Sequence, residues 1–179
     1  MMAWVKHGLM TVVVLAFLVG CEAPQVIGNI AQVIADPDIQ VGDDEDQPTE
    51  ITIHAYAGAE ANPNLDQEPS PTTLQFFALD GDHRFLSFDF FSMVEDPEGS
   101  LGVTLKETLG EAQLAPDQYL ILGPYEMPRG TRQIGVVAEF LDIDNTNWRD
   151  TIEVEDIGAE DRLLLLVLEE EIRLVAEEG

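Results

Sequence analysis

From Ile51 onward, the apolar residues of this chain recur at every second position. Ile51, Ile53, Ala55 and Ala57 alternate with Thr52, His54 and Tyr56. Neighbouring side chains of an extended strand point to opposite faces, so a period of two buries one face and wets the other. A chain patterned in this way must pair its strands and cover the resulting sheet. Further strand signals fall at residues 74–79, closed by the turn Asp80-Gly81-Asp82, and at 119–122, 132–141, 151–155 and 163–168. In the fourth of these six segments Ile134, Val136, Ala138 and Phe140 carry the alternation. The tail has the propensity of a helix, being rich in Leu, Glu and Arg. An antiparallel meander needs closing, however, so two terminal strands with a turn near Glu169–Glu171 are expected, and six consecutive apolar residues suit a strand covered on both faces.

Residues 84–94 (RFLSFDFFSMV) interrupt the alternation and hold four of the eight Phe residues. Apolar side chains fall almost all round a helix here, which predicts one short helix packed on the sheet and ended by Pro97-Glu98-Gly99. The expected fold is therefore mainly β, a two-layer antiparallel sandwich with one or two short helices, occupying residues 50–179.

The first twenty residues form a separate unit. A short basic start with Lys6 leads into an apolar run of eleven residues, 9–19, too short to span a bilayer as a helix but suited to a signal peptide. The run ends Leu18-Val19-Gly20-Cys21, a lipobox pattern in which the thiolate is the nucleophile that receives lipid. Cys21 is the single cysteine, so the expected lipid attachment site also excludes an internal disulfide and a multi-thiolate zinc site. Glu22, in place of Asp, points to the outer membrane with the body in the periplasm. Residues 21–49 then read as a lipidated arm followed by an acidic linker; the run Asp43, Asp44, Glu45 and Asp46 lacks the glycine and ligand spacing of a calcium loop and reads as solvated charge.

Charge narrows the possible partners. Thirty-five Asp and Glu stand against eight Lys and Arg, a net charge of −27, which opposes binding to a phosphate backbone. The excess fits either a saline environment or a basic protein face. No serine-nucleophile elbow, zinc-protease helix or phosphate-binding lysine loop is present, and His54 and His83 read as surface residues. Asp142, Asp144, Asn145 and Asn147 lack the calcium-loop spacing and read as a hairpin turn. No enzymatic activity, cofactor or metal site is expected.

Between the first two strands lies a long connection, 58–71 (GAEANPNLDQEPSP), too long for a tight hairpin and of the kind that carries function on a rigid scaffold. Asn62-Pro63-Asn64, then Pro69-Ser70-Pro71, then Leu74-Gln75-Phe76-Phe77-Ala78-Leu79, resembles the type VI secretion lipoprotein family TssJ (VasD, SciN). Asp36-Pro37-Asp38-Ile39-Gln40-Val41-Gly42, Phe85 with Asp89-Phe90-Phe91, and Gly135-Val136-Val137-Ala138 with Trp148-Arg149 resemble further family segments in the same order. Glu68 departs from the basic residue common there. The resemblance implies a transthyretin-like sandwich tethered to the periplasmic face of the outer membrane, whose partner is the periplasmic domain of the inner-membrane protein TssM. It also implies a contact through the first long connection, carried here by Asn62, Pro63, Asn64, Leu65, Asp66 and Gln67. Two prolines in Pro69-Ser70-Pro71 would stiffen one limb of such a loop and lower the entropy lost on docking. A second class of function fits the same composition: a stand-alone periplasmic lipoprotein that binds cations on its acidic surface or an apolar ligand at its Phe-rich segment.

Overall fold

Eight strands, built by the alternation seen in the sequence, form two four-stranded sheets in the computed structural model, which describes residues 47–155 and 157–177. The signal run, Cys21, the arm and its Asp43–Asp46 cluster lie outside the described residues. Strand β1 (Glu50–Ala57) buries Ile51, Ile53, Ala55 and Ala57. It lies in a sheet of order β4-β1-β7-β8 with β4 (Tyr119–Glu126), β7 (Glu160–Val167) and β8 (Ile172–Ala176). The second sheet, of order β3-β2-β5-β6, joins β2 (Thr72–Leu79), β3 (Leu105–Leu114), β5 (Gln133–Glu139) and β6 (Arg149–Glu153). Side chains of both inner faces, among them Ile53, Leu74, Phe76, Val136 and Leu165, form one core between the sheets. Each fully buried Ile, Leu or Phe contributes about 1.5–3 kcal/mol relative to an exposed one.

Two terminal strands close the chain, as the tail predicted, but not as the end of an antiparallel meander. β7 runs parallel to β1, from Glu50↔Glu160 to Ala57↔Val167, and antiparallel to β8. It is a central strand, hydrogen-bonded on both edges. Its faces are nonetheless unequal: Leu163, Leu165 and Val167 are buried, whereas Leu164 and Leu166 are half-buried on the outer side. The covering expected on both faces is therefore present on one.

The Phe-rich segment departs from a single helix. It forms α1 (His83–Ser87), α2 (Phe90–Glu95) and α3 (Pro97–Leu101). Asp89 is the reason for the first break: its carboxylate accepts from the Ser92 N–H at 3.0 Å and the Ser92 hydroxyl at 2.7 Å, capping α2. Asp96 repeats the device with the Gly99 N–H at 2.9 Å, so Pro97 does not end a helix but opens one, at the position where its missing N–H costs nothing. These helices lie on the outer face of the second sheet. Phe77, Leu79 and Val137 turn away from the inter-sheet core to meet Phe85, Met93 and Leu101 there, which gives the outer cluster its own apolar interior.

Candidate functional site

At one end of the sandwich, the chain leaves β1 and crosses to β2 through residues 58–71. The connection is held by amide side chains in place of a hydrophobic core. Asn62 is buried, and its φ of +50° lies in the left-handed region that Asn tolerates better than most residues. Its Nδ2 donates to the Pro71 carbonyl at 3.0 Å, and its Oδ1 accepts from the Leu141 N–H at 2.8 Å. One side chain thereby ties the outgoing limb to the returning limb and to the β5–β6 connection, an arrangement that needs a donor and an acceptor on the same group. Asn64 shapes the tip. Its Oδ1 accepts from the Asp66 and Glu68 N–H groups at 2.9 and 3.0 Å, while the Gln67 N–H donates to its carbonyl at 2.9 Å. The Ser70 N–H closes the base on the Ala61 carbonyl at 3.1 Å.

Leu65 stands at this tip with a relative exposure of 101%. Asp66 and Gln67 are exposed beside it, whereas Pro63 and Asn64 are half-buried. Of the six residues singled out from sequence, Leu65, Asp66 and Gln67 thus present side chains outward, and Asn62 works from inside. All six line one open groove of ≈ 550 Å³. Its other wall comes from Phe140, Leu141, Asp142 and Thr146 of the β5–β6 connection and from Glu169 and Glu170 of the β7–β8 turn. Those two segments are themselves joined: the Asn147 N–H donates to the Glu170 carbonyl at 2.8 Å, and the Ile172 N–H to the Asn147 carbonyl at 3.1 Å. Leu141 is 63% exposed on that wall.

The hairpin turn read at residues 142–147 contains a 3₁₀ turn, Ile143–Asn145, with the Asn145 amide on both Asp142 oxygens at 3.0 Å. His54 lies on the outer face of the first sheet, 3.2 Å from Glu177 and edge-on to Tyr119, and His83 opens α1. No helix among the described residues is long and apolar enough to cross a membrane.

Residues 49–172 match the family of type VI secretion lipoproteins that includes VasD, EvfM and TssJ. The chain belongs to this family. Its fold matches the T6SS lipoprotein TssJ1 from Pseudomonas aeruginosa with a TM-score of 0.69 and 26% identity, over 74% of this chain and 98% of that one. It also matches Serratia marcescens Lip, a membrane bound component of the Type VI Secretion System, with a TM-score of 0.64 and 22% identity over 74% and 99% of the two chains. A third match, at a TM-score of 0.58 and 18% identity over 70% and 99%, comes from a structure of the T6SS protein TssM C-terminal domain from EAEC. A search of curated proteins gave no match.

The resemblance carried by the Asn-Pro and Pro-Ser-Pro segments is thereby confirmed, and with it the β-sandwich. As a TssJ-family member, the protein is a membrane-associated lipoprotein of the type VI secretion apparatus. Every residue lining the groove lies within the matched span. Leu141, Glu169 and Glu170 escaped the sequence reading as parts of this site, because only the folded topology brings the second and third connections beside the first. It is the parallel pairing of β7 with β1 that puts the Glu169–Glu171 turn at the same end as the β1–β2 connection, and no local sequence signal marks that pairing.

Proposed function

We propose that this protein is an outer-membrane-anchored periplasmic lipoprotein that binds the periplasmic domain of TssM and serves as a structural component of the type VI secretion membrane complex. In this reading Cys21 carries the lipid after removal of residues 1–20, residues 21–49 span the distance to the membrane, and Asn62–Gln67 dock on the partner. The protein acts by holding, without catalysis, cofactor or metal. One observation carries the docking role: the first connection is pre-shaped by internal hydrogen bonds while its apolar tip, Leu65, is fully exposed to solvent. A loop ordered before binding loses less entropy on docking, and an apolar side chain held out in water gains from being covered.

Co-purification with the periplasmic domain of TssM from the same bacterium tests the proposal. The native protein is expected to bind, and replacing Asn62–Gln67 by a Gly-Ser linker to abolish binding. Absence of affinity between the two purified native domains would overturn the docking role. The anchor is tested separately by Cys21→Ala, which should move the protein from the outer-membrane fraction to the soluble fraction; unchanged fractionation would refute lipidation at that residue.

A further inference from the structure

The charge at the docking end is one-sided in a way the rest of the sandwich is not. The four connections that meet there, residues 58–71, 115–118, 140–148 and 168–171, contain nine Asp and Glu and no Lys, Arg or His. At the opposite end, the connections 80–104, 127–132 and 154–159 mix eight Asp and Glu with Arg84, Arg129, Arg132 and His83, and Asp80 there is paired with Lys106 at 3.4 Å and Arg132 at 3.8 Å. The groove itself has carboxylates on each of its walls: Asp66 on the first connection, Asp142 on the second, Glu169 and Glu170 on the turn. Among the described residues no cation pairs with any of these four. They are spread around the rim and do not converge, and no group of three or more described His, Asp or Glu side chains could hold a metal ion. Leu65 and Leu141, at 101% and 63% exposure, flank the same opening.

Solvated carboxylates alone would mark only a soluble surface, and exposed leucines alone only an apolar contact. Their combination in one pre-shaped groove fits an occupant that carries both Lys or Arg and an apolar side chain, as interfaces join apolar contacts to a charged rim. We infer that the docking end recognises a basic segment of its partner, with Leu65 and Leu141 gripping an apolar residue and the four rim carboxylates steering the encounter. This rests on the docking role proposed above and adds the chemistry of the partner face. Exposed rim charges act mainly on the association rate, whereas apolar contacts at the centre hold the complex together once formed.

The experiment is stopped-flow association and dissociation of the soluble domain with the TssM periplasmic domain of the same bacterium. The salt series runs from about 0.05 to about 0.5 M, over which the screening length shortens severalfold. The association rate of the native pair is expected to fall at least roughly tenfold across that series. Neutralising the rim with Asp66→Asn, Asp142→Asn, Glu169→Gln and Glu170→Gln should lower the low-salt association rate roughly tenfold, with dissociation changed less than about threefold. Leu65→Ser should do the reverse, and Glu107→Gln on β3, outside the groove, should do neither. A salt-independent association rate for the native pair, or a neutralised rim that associates at the native rate, would overturn the basic-segment assignment while leaving the docking role intact. Binding that survives the Gly-Ser replacement of Asn62–Gln67 would overturn the docking role itself. Saturable calcium binding by the native domain, lost in the neutralised variant, would likewise overturn the assignment in favour of an ion.

Discussion

Two long connections, one before β2 and one after it, meet opposite fates. The segment after β2, residues 80–104, carries Phe85, Met93 and Leu101, folds into three short helices and builds a second hydrophobic cluster on the sheet. The segment after β1, residues 58–71, buries only Ala61 and Asn62, and is held by amide and backbone hydrogen bonds with Leu65 left in water. Apolar payload decides the difference. A connection that can cover its own backbone with burial becomes part of the fold, whereas one that cannot must be shaped by specific polar contacts and stays available to a partner. The first should therefore govern stability, and the second affinity.

Phe85→Ala should break the helical cover. Phe85 packs against Phe77 and directly over Gly135, where even an added methyl would lie within 2.9 Å of Leu79 and 3.0 Å of the Phe85 ring. Truncation is expected to cost about 3–5 kcal/mol in urea unfolding, while affinity for TssM measured on the folded fraction stays native. A cost below about 1 kcal/mol would mean that the cluster collapses without strain and that the cover is not integral.

Arg149 is the next largest effect. Its guanidinium donates to the carbonyls of Phe85 and Phe88 through Nη1, at 2.7 and 2.5 Å, and to that of Leu86 through Nη2 at 2.5 Å, while stacking 4.4 Å above Trp148. Partial burial pulls its pKa down, yet from so high a value that the charge persists. One side chain from β6 thus satisfies the carbonyls at the end of α1. Arg149→Ala should cost about 2–3 kcal/mol, combining the lost charged hydrogen bonds with the lost cation–π contact. Arg149→Lys should recover less than about half of that, since an ammonium cannot reproduce the planar fork. Full recovery by Lys would show that charge alone holds the cover.

Asn62→Ala tests the polar counterpart. It removes the partner of the part-buried Leu141 N–H, leaves the Pro71 carbonyl without its donor, and places a residue with no amide at φ +50°, for an expected loss of about 1–3 kcal/mol. Asn62→Gly should relieve only the backbone part. Both are expected to weaken TssM binding by letting the tip wander, and retention of native affinity would show that the loop needs no pre-shaping.

The contrast also explains what could be read in advance. Ile51–Ala57 announced β1 because one face of that strand is core and the other is solvent. Strand β2 shows why alternation fails elsewhere: Leu74 and Phe76 face one cluster while Phe77 and Leu79 face the other, so its final four residues are all buried and the pattern vanishes. β3 was not foreseen at all. Its sequence LKETLGEAQL buries only Leu114, and its register with β2 shifts twice, at Leu109 and at Lys106, so little of its apolar pattern marks a strand. Pairing with β2, a tertiary fact, is what makes it extended. At the candidate site, Asn62–Gln67 were legible as a turn-rich loop, but which amide would be buried was not, because the partner of Asn62 is a backbone N–H 79 residues away.

The smallest effects lie in titration, where the two regions should oppose each other. Asp89, capping α2 in the helical cover, has its carboxyl held below the ordinary range by hydrogen bonds from the Ser92 backbone and side chain. A depressed carboxylate stabilises the fold fully above its unfolded pKa, and this contribution is lost as pH falls through the folded value. Glu139, at the end of β5 beside the groove, is pushed upward by burial and by the charge of Glu111, against a hydrogen bond from Gln75. Its contribution is present below the unfolded pKa and is lost as pH rises through the folded one. Asp89→Asn keeps an acceptor for the cap but removes the titration, so the acid side of the stability profile should become shallower. Glu139→Gln should raise the urea midpoint at about pH 7 and leave it near native at about pH 3, where the native carboxyl is already protonated. Equal shifts at both pH values would place the effect of Glu139 in packing and not in its charge.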